Sequence, residues 1–213
     1  MNNINEMKCN YEGEDIKEII ISYGITKIDS GAFRNCSLLT NVLIPNTVSQ
    51  IGDFAFEKCT SLVNITIPES VVNIGLGAFY YCSSLSNIII SESVTEIGVG
   101  AFSVCSSLIN ITLPNSITNI SDSAFFGCSS LKNIIIPNSV IKIGDYAFSE
   151  CSSLINIIIP NSVIEIGSDV FLDCKSLSNI IISNDNIKIN TNTFPSNSKI
   201  VKFKIDENND SYN

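Results

Sequence analysis

Apolar residues recur along this chain in a block of fixed length, and each block divides into two halves with different periodicities. In one copy, the first half is Leu131-Lys132-Asn133-Ile134-Ile135-Ile136-Pro137, rich in β-branched residues and closed by a proline that cannot donate to a ladder. It predicts a short strand over Asn133 to Ile136. Side chains alternate along a strand, so Ile134 and Ile136 point inward with Leu131, and Asn133 and Ile135 point out. The second half runs from Val140 to Cys151 and is the return path. Ile143-Gly144 marks a turn at which glycine adopts positive φ, and Ala147, Phe148 and Cys151 are spaced as one turn of α- or 3₁₀-helix would place them.

The block is 23 residues long and repeats without insertion. Cys36, Cys59, Cys82, Cys105, Cys128, Cys151 and Cys174 keep the period, as do the phenylalanines from Phe33 to Phe194 and the leucines from Leu39 to Leu177. A single unit cannot bury its own apolar side, so the copies must stack. Nine strand-like segments, from Glu18–Ile21 to Lys202–Ile205, would form a parallel sheet roughly 40 Å long at ~4.8 Å per strand. The expected organisation is a cap over residues 1–17, repeats over 18–196, and a terminal half-repeat with an acidic tail over 197–213. Near the end the pattern drifts: Asn190 stands at the glycine position, Thr193 at the alanine and Pro195 follows Phe194. Ile200, Phe203 and Ile205 then take the Leu, Ile and Ile positions of the half-repeat.

Within a repeat, the pattern Leu-x-x-Ile-x-Ile-Pro-x-Ser-Val-x-x-Ile-Gly-x-x-Ala-Phe-x-x-Cys-x-x-Leu resembles the BspA-like class of leucine-rich repeats, over about residues 18 to 205. Ser91 and Ser183 depart from it at the proline, and Ser121 at the glycine. The resemblance implies an α/β solenoid with a parallel sheet on its concave face and short 3₁₀ or helical turns behind. It also implies a surface protein that adheres to host matrix or cell-surface proteins, and it brings no catalytic residues.

Composition narrows the alternatives. The chain is 45% hydrophobic and 15% charged, which suits a packed core rather than disorder. Its net charge of −9 argues against nucleic acid and anionic membrane surfaces, both of which select for Lys and Arg. No apolar run is long enough for membrane insertion, and residues 1–8 carry no secretory signal pattern. The resemblance thus points to the cell surface and the missing signal to the cytoplasm. With no histidine anywhere, Ser-His-Asp and Cys-His arrangements and the commonest zinc sites are excluded. No phosphate-binding glycine loop is present either. The reading is therefore a non-enzyme without cofactor or metal.

Two columns admit more than one reading. The seven periodic cysteines are read as free thiols filling the core; disulfides between coils and a thiolate metal site are the alternatives. The phenylalanine column is read as stacked core, with a binding cage as the alternative. On the outward face, Asn41, Asn64, Asn87, Asn110, Asn133, Asn156 and Asn179 form one row, expected to hydrogen-bond as an amide ladder. Beside it, Leu43, Thr66, Ile89, Thr112, Ile135, Ile158 and Ile181 form an apolar row with no core to fill. Such a row marks a partner surface, a contact with another copy, or a wrong facing assignment. Taking it as a partner surface selects Asn87, Ile89, Asn110, Thr112, Asn133, Ile135, Asn156, Ile158, Asn179 and Ile181 as candidate protein-binding residues. Sequons at Asn35, Asn64, Asn110 and Asn119 are read as coincidence in an Asn- and Ser-rich chain. An intracellular scaffold or a passive spacer are the competing functions.

Overall fold

The computed structural model describes residues 16–184, 186–190, 192–195 and 198–202. The expected caps over 1–17 and 197–213 lie almost wholly outside these residues, as does Phe203.

Each repeat is one coil of a parallel β-solenoid and contributes two strands. The first is the expected one: β1 (Glu18–Ile20), β3 (Asn41–Leu43), β5 (Asn64–Ile67), β7 (Asn87–Ile90), β9 (Asn110–Thr112), β11 (Asn133–Ile135), β13 (Asn156–Ile159), β15 (Asn179–Ile182) and β17 (Lys199–Lys202). These lie side by side as one long face. Ladders join β1 to β3, β5 to β7, β9 to β11 and β13 to β15 to β17; the remaining neighbours touch without closing one. The second strand was not anticipated. It is a two-residue element, from β2 (Lys27–Ile28), β4 (Gln50–Ile51), β6 (Asn73–Ile74) and β8 (Glu96–Ile97) to β10 (Asn119–Ile120), β12 (Lys142–Ile143), β14 (Glu165–Ile166) and β16 (Lys188–Ile189). Four of these form one narrow parallel sheet and four another. Lys142 and Lys188 both reach the Glu165 carboxylate, at 3.5 and 3.8 Å, tying three coils together along its edge.

The return segment contains no helix among the described residues, contrary to the expectation of helical or 3₁₀ turns. Its N–H groups explain why. In the second coil, Phe54, Phe56 and Lys58 donate to the carbonyls of Leu76, Ala78 and Tyr80 in the next coil, while Ala55, Glu57 and Cys59 donate three residues back. Half the donors are committed between coils, whereas a helix spends all of them on itself. Left-handed residues on either side of the phenylalanine produce this alternation. They fall at Phe54 and Lys58, at Gly77 and Tyr81, at Gly100 and Val104, and so along the stack. A helix about 10 Å across would also splay strands set ~4.8 Å apart. Instead the phenylalanine rings behind the sheet stack on one another, with centroids 5.2–5.9 Å apart.

The repeated glycine has a different role from the one expected. Gly144 and its equivalents do not adopt positive φ. A Cβ on Gly98 would lie 2.6 Å from the Gly75 carbonyl carbon and the Leu76 nitrogen, so the glycine is set by close approach of two coils. Gly98→Ala is expected to destabilise the chain by about 2–3 kcal/mol through overpacking, measured by urea unfolding. A loss under about 0.5 kcal/mol would show that neighbouring coils separate without strain. Ser121 occupies the same position and uses its hydroxyl on the Ile97 carbonyl, 2.6 Å away.

The core is the inward set predicted. Leu39 through Leu177, Phe33 through Phe171 and the inward isoleucines are buried in one continuous cluster. Six cysteines, Cys59 to Cys174, are buried free thiols. Each donates to the carbonyl of the phenylalanine one coil back, as Cys105 does to Phe79 at 3.3 Å and Cys174 to Phe148 at 3.0 Å. Cys36, the first in the column, departs from the free-thiol reading: it is disulfide-bonded. Burial pushes the Cys59, Cys128 and Cys174 thiols up to about 12. Cys82, Cys105 and Cys151 are likewise held well above the ordinary thiol range, by burial first and then by neighbouring thiols.

One buried charge interrupts this pattern. Glu57 is 4% exposed and pairs with Arg34, whose Nε lies 2.7 Å from its carboxylate. The Arg34 guanidinium also sits over the ring of Phe54, 5.7 Å from its centre.

The last strand is displaced from its expected position. Lys199, Ile200 and Val201 pair with Asn179, Ile180 and Ile181, so Ile200 takes an isoleucine position rather than the leucine one. The final coil is therefore shorter than 23 residues, which matches the proline and the lost glycine within it.

Candidate functional site

Strand alternation puts the candidate residues where they were expected. Ile88, Ile111, Ile134 and Ile157 are buried, and the residues flanking them face solvent. Asn87, Asn110, Asn133, Asn156 and Asn179 are all exposed. Ile89 is 56%, Ile135 79% and Ile158 56% exposed, and Thr112 is exposed with them. Ile181 is half-buried beside β17. Parallel register aligns these into rows: Thr66 is level with Ile89, Thr112 with Ile135, and Ile158 with Ile181. The apolar row also begins earlier than the candidate set, with exposed Ile20 and Leu43.

The expected amide ladder forms at one step only among the described residues. Asn179 Nδ2 donates to Asn156 Oδ1 at 2.8 Å. The other row amides are solvent-exposed, where water competes with a rung at little net difference in free energy. They therefore keep donors and acceptors available to a partner.

The face is almost free of charge although the chain carries −9. Within the asparagine row only the ends are ionised, with Glu18 level with Asn41 at one end and Lys199 level with Asn179 at the other. Along one rim stand exposed Glu69 and Glu92, and along the other exposed Lys132. Over β3, β5 and β7 the surface sinks into an open depression lined by Leu43, Thr66, Ile89, Glu69 and Glu92.

Some exposed apolar residues were missed. Val63, Ile109 and Ile155, each just before a row asparagine, widen the apolar surface, and Ile141 and Ile164 are exposed beside the narrow sheet. They hold fixed places in the repeat, but the residue type there changes from copy to copy, as Val63, Ser86, Ile109, Lys132 and Ile155 do, so no column signalled them. No helix among the described residues is long and apolar enough to cross a membrane.

A family model for the BspA type leucine rich repeat region matches in six copies, over residues 3–132 and 95–213. A leucine-rich repeat protein from Bacteroides ovatus is 32% identical, with a TM-score of 0.67; the match covers 88% of this chain and 55% of that one, so the present chain spans about half of that relative. The T. pallidum leucine rich repeat protein is 31% identical with a TM-score of 0.72, covering 77% of this chain and 79% of its own. No curated protein matches in sequence. Sequence pattern, coil geometry and relatives agree, and the chain belongs to the BspA-type leucine-rich-repeat family.

Proposed function

We propose that this chain is a non-enzymatic recognition module that holds a protein ligand against the outer face of its long sheet, in the setting of adhesion to a host matrix or cell-surface protein. The observation that carries the reading is the row of exposed Leu43, Ile89, Ile135 and Ile158, 54–79% exposed on a surface otherwise rich in amides and hydroxyls. Exposed apolar surface of this extent on one face is a mark of partner contact. The rigid ladder behind it holds the side chains in position before binding, which reduces the entropy lost on association.

The test is binding of the purified chain to immobilised fibronectin, fibrinogen, laminin and collagen. Native protein is expected to bind at least one of them with micromolar affinity. The double variant Ile135→Glu/Ile158→Glu is expected to lose at least tenfold, because it places charges in the apolar contact. Both side chains already face water, so its thermal unfolding should stay within a few degrees of native. Undiminished binding by a folded double variant would remove the face from the proposal.

A further inference from the structure

We infer that the same face also pairs with a second copy of this chain, through a two-fold axis that lies in the plane of contact and runs along β9. This rests on the reading of the face as a protein-contact surface and names a partner for it.

An axis along the strand direction preserves position along the strand and reverses the order of the coils. The asparagine row then meets the partner's asparagine row, and the apolar row meets the apolar row. An axis along the stack would instead lay amides on isoleucines. With β9 at the centre, β1 faces the partner's β17, β3 its β15, β5 its β13 and β7 its β11.

Charge selects this centre. Glu18 comes opposite the partner's Lys199, which have opposite signs. On the rims, Glu69 comes opposite the partner's Asn161, Glu92 opposite the partner's Asn138 and Lys132 opposite the partner's Ser86, all exposed or half-buried uncharged groups. No like charges meet, and like-charge juxtaposition is what excludes wrong registers.

The flanking apolar residues have the same symmetry. Val63, Ile109 and Ile155 are 40%, 43% and 45% exposed and precede β5, β9 and β13. Under this axis Val63 meets the partner's Ile155, and Ile109 meets the partner's Ile109. In the main row, Ile89 meets the partner's Ile135, Thr66 the partner's Ile158 and Leu43 the partner's Ile181. The amides of Asn87, Asn110 and Asn133 have no intramolecular partner among the described residues, and an amide is complementary to itself as donor and acceptor. Both faces have the same coil spacing, so the rows stay in step from end to end.

A face roughly 40 Å by 15 Å covers on the order of 1,200 Å² in total, at the lower end for specific interfaces. A micromolar dimer is the result.

Sedimentation velocity on the full chain from 1 to 200 µM tests it. The expected result is a monomer–dimer equilibrium with a micromolar dissociation constant. Thr112→Arg sets two guanidinium groups against each other on the axis and should weaken pairing at least 20-fold. Glu18→Lys and Lys199→Glu should each weaken it about fivefold, and the two together should return within twofold of native. Should Thr112→Arg fail to fold by circular dichroism, Ile89→Glu serves in its place. A monomer at 200 µM, a dimer indifferent to the axis variant, or a double swap that does not recover would each overturn the inference. A monomer that still binds a matrix protein through Ile135 removes the dimer and leaves the ligand reading intact. A recoverable dimer that binds no matrix protein does the reverse.

Discussion

Raising the pH from 9 to 11 is expected to unfold the whole stack within a narrow interval. The six free buried thiols, Cys59 to Cys174, all ionise at higher pH in the folded chain than their ordinary value of 9.0. Below pH 9 they are protonated in both states, and their burial as neutral groups contributes fully to stability. Above pH 9 the unfolded chain releases protons that the folded chain still holds, so stability falls as pH rises toward about 12. Each such thiol withdraws ~1.4 kcal/mol per pH unit in that window, and six together about 8 kcal/mol. Total stabilities of domains are about 5–15 kcal/mol, so the midpoint should lie near pH 10 to 11. Urea unfolding at pH 8, 9 and 9.5 measures the slope. Cys128→Ala/Cys151→Ala should reduce that slope by about a third, whatever the double variant does to stability at neutral pH. A slope unchanged by removing both thiols would mean that other groups carry the alkaline transition.

Phe102→Ala should be the most damaging single truncation in the core, at about 4 kcal/mol. The ring is fully buried between Phe79 at 5.4 Å and Phe125 at 5.6 Å, both stacked with their planes nearly parallel to it. Its removal forfeits the transfer free energy of the ring, leaves a cavity that a hydrogen-bonded coil on each side cannot collapse, and breaks two stacked contacts. Phe194→Ala, at the half-buried end of the column, has one ring neighbour at 5.9 Å and should lose under half as much. Urea midpoints of the two variants provide the comparison. Equal losses at both positions would show that stability is not built by nearest-neighbour stacking along the column.

Much of this was legible because each coil repeats the same constraints. The spacing of Cys, Phe and Leu required stacking, and the Asn-Ile-Ile alternation determined which side of each first strand is buried. The narrow second sheet was missed because two-residue strands such as Lys142–Ile143 are too short to show a period. The Ala147–Phe148–Cys151 spacing was misread because it fits a helix as well as a run of tight turns. Left-handed Tyr146 and Glu150 distinguish the two, and neither residue type advertises that conformation. Val104 in the same conformation is still less expected, since it is β-branched. The outward rows of the candidate face were readable, but the lateral residues Ile109 and Ile155 were not.

The sequence alone therefore determined the repeat length, the stacking, the strand facing and the composition of the core. Those follow from burial and from side-chain alternation, which act within one repeat and are copied into the next. Tertiary structure decided where backbone donors go once a neighbouring coil is present. That choice replaced helix with inter-coil hydrogen bonds and turned Gly98 from a turn residue into a point of close approach. It left the asparagine row with one rung and open amides among the described residues. Whether a donor bonds within its coil or across to the next depends on the distance between coils, and no single repeat contains that distance.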